Sequence, residues 1–286
     1  MHYLLLSILS STLIFFIFKF LERYKADLFL VILLNYITAS VLGFRLVPHL
    51  PSVTSIVKAG WLPYALLIGI LFIAIFFLIA RSSQKAGITI TALAAKLSMV
   101  VPILYSILFF HERVTIFRIL GIAIAILAVL LAIYKRNGKT NWGAILLPII
   151  IFLGTGAVDS MVKYVQQVYV RGTTTAVFTT VLFATAGIIG LVATIFKRPG
   201  WKEFFRLPVI AGGILLGAVN FGSLYFMMHA LSYSGLASSV VFGLNNMCIV
   251  AFSTILGMLF FREKLSTVNW TGIILSFISI FILVYI

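Results

Sequence analysis

The sequence predicts an all-α integral membrane protein whose ten transmembrane helices form two inverted five-helix repeats. Three observations carry that expectation. Of 286 residues, 63% are hydrophobic and 9% charged, with a mean hydropathy of +1.21, more apolar surface than one water-soluble core could hide. The apolar residues fall into ten runs of membrane-spanning length, separated by charged or Gly-, Pro- and Asn-containing gaps. Residues 86–134 and 234–286 repeat one segment: Phe109, Phe110, Glu112, Gly121 and Tyr134 fall on Phe260, Phe261, Glu263, Gly272 and Tyr285 at a constant offset of 151. A duplicated apolar unit is the signature of a transporter built from repeats, with its substrate site between them.

The first run, Tyr3 to Phe20, has no Lys or Arg before it and no small-residue cleavage site after it, so it reads as a retained helix and not a signal peptide. Leu28 to Phe44 is the second, and Leu62 to Ala80 the third, opened by Leu62-Pro63 as Leu207-Pro208 opens the eighth. Ile88 to Phe110 and Ile116 to Tyr134, the fourth and fifth, make up the first copy of the repeat. The polar, turn-rich stretch Lys135 to Asn141 leaves no room for a soluble domain and separates a first repeat, 1–137, from a second, 138–286. Trp142 to Val162, Thr174 to Phe196 and Leu207 to His229 follow, and Leu236 to Phe261 with Val268 to Ile286 forms the second copy. Phe18-Lys19-Phe20 near the end of the first run resembles Val162-Lys163-Tyr164 near the end of the sixth. Five spans per repeat is an odd number, which forces the second copy into the membrane upside down relative to the first.

Two stretches, LYSILFFHERVTIFRILGIAIAILAVLL and LGMLFFREKLSTVNWTGIILSFISIFIL, share an FF-x-E turn followed by a Gly-containing last helix. With a small residue plus Gly opening the preceding span, this pattern resembles the EamA-like branch of the drug/metabolite transporter superfamily, over essentially the whole chain. The resemblance implies two five-helix EamA units and a secondary transporter in the inner membrane of a prokaryote. It does not select a cargo among amino acids, drugs, metabolites, sugar phosphates and nucleotide sugars.

Charges inside spans point to a site, because each costs roughly 2.5 to 3.5 kcal/mol at a helix centre on insertion scales. Lys96 lies about 12 Å into the fourth span at 1.5 Å per residue, too deep for easy snorkelling. It reads as a fixed positive charge for a carboxylate or phosphate, or as half of an internal ion pair. Asp159 sits one turn after Thr155 and one turn before Lys163, so it neutralises Lys163, pairs with Lys96, or couples transport to protons. The repeat sets Met247 opposite Lys96 at the common offset and Leu244 when Gly87 is aligned with Gly235; Asn245 and Asn246 lie between. An ammonium from one half and two amides from the other would suit an anionic or zwitterionic metabolite. In the eighth span Gly213-x-x-x-Gly217 signals close packing, Asn220 and Ser223 share a face as cavity donors or helix glue, and Tyr225 shapes an aromatic pocket or faces lipid. Gly154-Thr155-Gly156 is expected to loosen the sixth span beside the site.

The formal charge of +15 would suggest nucleic acid in a soluble chain, but here almost all Lys and Arg occupy short gaps between apolar runs, as headgroup anchors and topology signals. Of the 21, 14 lie in the loops after odd-numbered spans or the span ends beside them, Lys19 included, 6 in or beside the loops after even-numbered ones, Arg118 included, and the last is Lys96. The positive-inside rule then puts both termini outside the cytoplasm, whereas the family resemblance implies both inside. The lone Cys248 excludes an intrachain disulfide, and scattered acids supply no metal pair, nucleotide loop or nucleophile motif, so neither an enzyme nor a cofactor is expected. The expected partners are a small-molecule substrate, the bilayer, and a proton or counter-solute if transport is coupled, with the chain a monomer or weak dimer. A multidrug or cation exporter using Asp159 and a channel-like facilitator remain as alternatives.

Overall fold

The computed structural model describes residues 1–47, 52–109, 115–134, 142–169, 174–197, 200–236 and 238–285. Among these the ordered elements are all helical: α1 (His2–Leu21), α2 (Leu28–Leu46), α3 (Val53–Val57), α4 (Leu62–Lys85), α5 (Ile88–Leu97), α6 (Val100–Phe109), α7 (Ile116–Ile133), α8 (Trp142–Val168), α9 (Thr174–Lys197), α10 (Trp201–Phe204), α11 (Leu207–Tyr233), α12 (Ser238–Phe261) and α13 (Thr267–Tyr285). Among the described residues ten helical segments are long and apolar enough to cross a membrane, with α5 and α6 together making one of them. The protein is a multi-pass membrane protein on this ground.

One span proves interrupted, and one expectation is corrected. The fourth span is not one helix: it breaks at Ser98–Met99. Pro102 has no N–H to give the Ser98 carbonyl, which instead accepts from Val101 N at 2.9 Å, while Ser98 Oγ donates to Ala95 O at 2.6 Å. The sixth span, conversely, is not loosened at Gly154–Gly156, because α8 runs unbroken through it. Gly156 serves close approach: a Cβ there would lie 2.4 Å from Val101 Cβ and 2.9 Å from Ser98 O.

Several helices outrun their apolar stretches. α4 extends five residues past Ala80 to Lys85 because its polar end is engaged within the protein. Ser82 Oγ and Thr91 Oγ1 are 2.7 Å apart, and Gln84 Nε2 donates to Phe18 O at 3.0 Å. Hydropathy alone cannot see such partners.

The chain forms two compact units, each drawing helices from both sides of residues 137–138. The first comprises Met1–Phe20, Leu78–Ala157 and Gly222–Ile286. Its core gathers Leu93, Leu97, Val100, Ala128, Ala132, Val250, Ile273 and Ile280. There α7 and α13, the last helices of the two sequence halves, lie antiparallel. A Cβ on Gly121 would sit 2.7 Å from the Leu283 side chain, and one on Gly272 2.7 Å from Ala132 N. Ala132 and Leu283 are themselves 151 apart, so each glycine meets the counterpart of the residue that the other meets. Ser279 Oγ adds a bond to Gly121 O at 2.8 Å.

The second unit comprises Leu21–Phe77 and Val158–Phe221. Asp27 caps α2, accepting from Phe29 N at 2.8 Å and Leu30 N at 3.3 Å. α2 and α9 pack antiparallel through Gly43 against Thr180 and Gly190 against Leu33. Tyr36 is fully buried among Phe72, Phe76 and Phe183. Gly213 and Gly217 admit Leu34 and Thr38 of α2 at distances that a Cβ would forbid, as the small-residue spacing predicts.

Candidate functional site

The fourth span opens at Gly87, whose φ of 101° suits a residue without a side chain. The first N–H groups of α5 have no intrahelical acceptor. Glu263 supplies one from the other end of the sequence: Oε1 accepts from Ile88 N at 2.6 Å and Oε2 from Thr89 N at 3.3 Å. A carboxylate at a helix N-terminus also meets the positive end of its dipole. Gly87 and Gly257 make room for it, since a Cβ on either would lie within 2.7 Å of a carboxylate oxygen. Glu112, the counterpart of Glu263, lies outside the described residues.

From that cap α5 enters the core of the first unit with every residue buried except one, Lys96. Lys96 alone on that helix is partly exposed. Two residues later the helix breaks, at a depth of about 15 Å from Ile88 at 1.5 Å per residue, which is the middle of a hydrocarbon layer about 30 Å thick. Interrupted backbone at that depth is tolerated where it lines a cavity or packs within protein, and it turns carbonyl groups toward a ligand.

The layer around the break carries more polar groups. Asn246 of α12 approaches from across the helix pair, its Nδ2 3.6 Å from Met99 Sδ. Asn245 is buried and its Oδ1 accepts no hydrogen bond. Gly156 rests on Ser98 O and Val101, and the neighbouring Thr155 Oγ1 is likewise buried without a partner. Buried polar atoms normally find partners; Tyr36, Ser83, Thr89 and Ser253 also carry a buried oxygen without a hydrogen bond, so such atoms occur in both units. Lys96, Asn245, Asn246 and Thr155 belong to one unit, and Asn246 and Gly156 reach the break two residues beyond Lys96.

The remaining candidates have other surroundings. Asn220 is buried in the second unit, its amide 3.1 Å from that of Asn35, which ties α11 to α2. Ser223 is buried in the first unit, where its carbonyl accepts from Ser7 Oγ at 2.9 Å. The Tyr225 ring lies tilted against that of His229 with centroids 4.2 Å apart, in a group that continues to Tyr3 and Tyr233. Asp159 is exposed on α8 in the second unit. Sequence reasoning missed Asn35, whose signal was an amide in an apolar run, and Asn269. The latter donates to the carbonyls of Ala132 at 2.7 Å and Tyr134 at 3.0 Å, closing the end of α7. Among the described residues no group of three His, Cys, Asp or Glu could hold a metal ion.

No family model matches the sequence. The chain is similar to an uncharacterized protein of Haemophilus influenzae, 29% identical over 293 residues, with 100% of this chain and 98% of that protein covered. A solved crystal structure of a protein superposes with a TM-score of 0.58 at 16% identity, over 97% of this chain and 96% of the other. That likeness shows a shared fold over nearly the full length.

Proposed function

We propose that this protein is an EamA-like member of the drug/metabolite transporter superfamily, a secondary carrier or facilitator in the inner membrane of a prokaryote. In this account it moves a small polar metabolite bearing an anionic or zwitterionic group, by alternating access between two inverted five-helix repeats. The repeat reading is supported by three antiparallel pairs, α2 with α9, α5 with α12 and α7 with α13, each joining a span to its same-numbered counterpart. The charge count favours both termini outside the cytoplasm.

The observation that carries the functional reading is Lys96, the one residue of a buried helix that is not buried, two residues from a mid-span break. An ammonium there supplies a counter-charge for a carboxylate or phosphate. The unmet Thr155 hydroxyl can donate to such an anion, and the unmet Asn245 Oδ1 can accept from an N–H or O–H elsewhere on the same molecule. The test is a thermal-shift screen of the purified protein against a metabolite panel, followed by counterflow of the hits in proteoliposomes. Trans-stimulated, saturable uptake supports a carrier. Unsaturable flux identifies a channel instead, and the absence of any stabilising anionic or zwitterionic hit argues against the substrate class.

A further inference from the structure

The first unit contains, away from the helix break, a cavity of about 850 Å³ where the ends of several spans meet. It is lined by Lys19 of α1, Lys85 at the end of α4, Tyr134 beyond α7, and Lys264 and Ser266 between α12 and α13. All of these belong to loops or helix ends on the face that carries 14 of the 21 Lys and Arg.

Its wall is fixed by bonds that need no ligand. Glu263 is engaged by the Ile88 and Thr89 N–H groups, Gln84 reaches Phe18 O, and Asn269 holds the α7 carbonyls. Lys19 Nζ donates to Gln84 O at 2.5 Å, which holds that ammonium at the rim. A preformed site loses less ordering entropy on binding. Three ammonium groups line it against a single carboxylate, and that carboxylate is turned to the positive end of the α5 dipole. The residual field is positive. Ile90, Phe261 and Leu265 add an apolar floor beside the charges, so the cavity joins cationic donors to a hydrophobic surface at the membrane boundary. Basic pockets between spans on the positively charged face suit anionic headgroups.

We propose that this cavity binds a phosphate ester, held by Lys19, Lys85 and Lys264 with its apolar part on Ile90, Phe261 and Leu265. The inference is independent of the transport reading and of Lys96. Two sources share that chemistry: the headgroup of an anionic phospholipid and a soluble phosphate ester.

The full chain is tested in two arms. Native mass spectrometry after reconstitution in mixed phosphatidylglycerol and phosphatidylcholine measures retained lipid. Thermal-shift titration with glycerol phosphate in lipid-free detergent measures the soluble source. Lys85→Gln with Lys264→Gln removes two cavity charges, and Lys25→Gln with Lys202→Gln removes two from the same face outside it. A lipid site predicts selective retention of phosphatidylglycerol that falls about thirtyfold in the cavity variant, at about 1 kcal/mol per lysine, and less than about twofold in the control variant. A soluble-ligand site predicts the same contrast in the glycerol phosphate titration. Equal losses in both double variants, or binding of neither phosphate species by the wild type, overturns the proposal.

Discussion

The fourth and ninth spans hold the same place in the sequence repeat, yet they differ where they cross the middle of the membrane. The fourth is two helices, α5 and α6, parted at Ser98–Met99 ahead of Pro102; the ninth, α12, has no proline and runs unbroken. One carries Lys96, the other Asn245 and Asn246. Near the opening of α5 the pair is joined by a tight structural device, the Glu263 carboxylate seated between Gly87 and Gly257. Toward the middle that device gives way to a helix break, the partly exposed Lys96 and the buried amide of Asn245. The contrast separates a cap whose bonds tie two helices together from a break that carries Lys96 on one helix and two amides on the other.

Gly156→Ala strikes the break from α8 and carries the largest expected effect. Its new methyl would lie 2.4 Å from Val101 Cβ, and overpacking of that kind costs about 3 kcal/mol, read as a lower unfolding midpoint in detergent. An unchanged midpoint would mean that α8 does not rest on the break. Glu263→Ala acts at the opposite end of the comparison. Losing the α5 cap should cost about 1.5 kcal/mol and speed hydrogen exchange at Ile88 and Thr89, with counterflow otherwise retained. Pro102→Ala makes the fourth span more like the ninth: restoring the N–H should raise protection around Ser98 and slow counterflow roughly tenfold, about 1.4 kcal/mol. If protection stays low, the proline is not what breaks the helix. Asn246→Leu is expected to matter least to stability, about 0.6 kcal/mol, the average for an interhelical polar contact in a membrane.

The spans themselves were legible because hydropathy reports directly on the cost of putting polar groups in lipid. Their ends were less so: Ser82, Ser83 and Gln84 look like loop residues, yet α4 continues through all three, with Ser82 and Gln84 bonded to Thr91 and Phe18. The repeat singled out Glu263, Gly121 and Gly272 before any partner was known. What it could not give was the partner, since a side chain 175 positions away closes the α5 cap. The break was hidden for a local reason. Pro102 deprives a carbonyl four residues earlier, and whether a span kinks, shifts or re-bonds there depends on what packs against it, here Gly156. Lys96 stood out from its insertion cost alone, whereas the Asn35–Asn220 bond required knowing that α2 and α11 are neighbours.

The proposed carrier mechanism requires that Lys96 face the substrate path with its charge in use. Cys248 is the single cysteine, so Lys96→Cys in a Cys248→Ser background offers one thiol at that position. Counterflow of a panel hit should fall about a hundredfold, ~2.7 kcal/mol. It should return on treatment with aminoethyl methanethiosulfonate, which rebuilds an ammonium on the thiol, and not with the neutral methyl reagent. Counterflow at the wild-type rate before treatment, or no recovery after aminoethylation, would contradict the claim that this ammonium is the substrate's counter-charge.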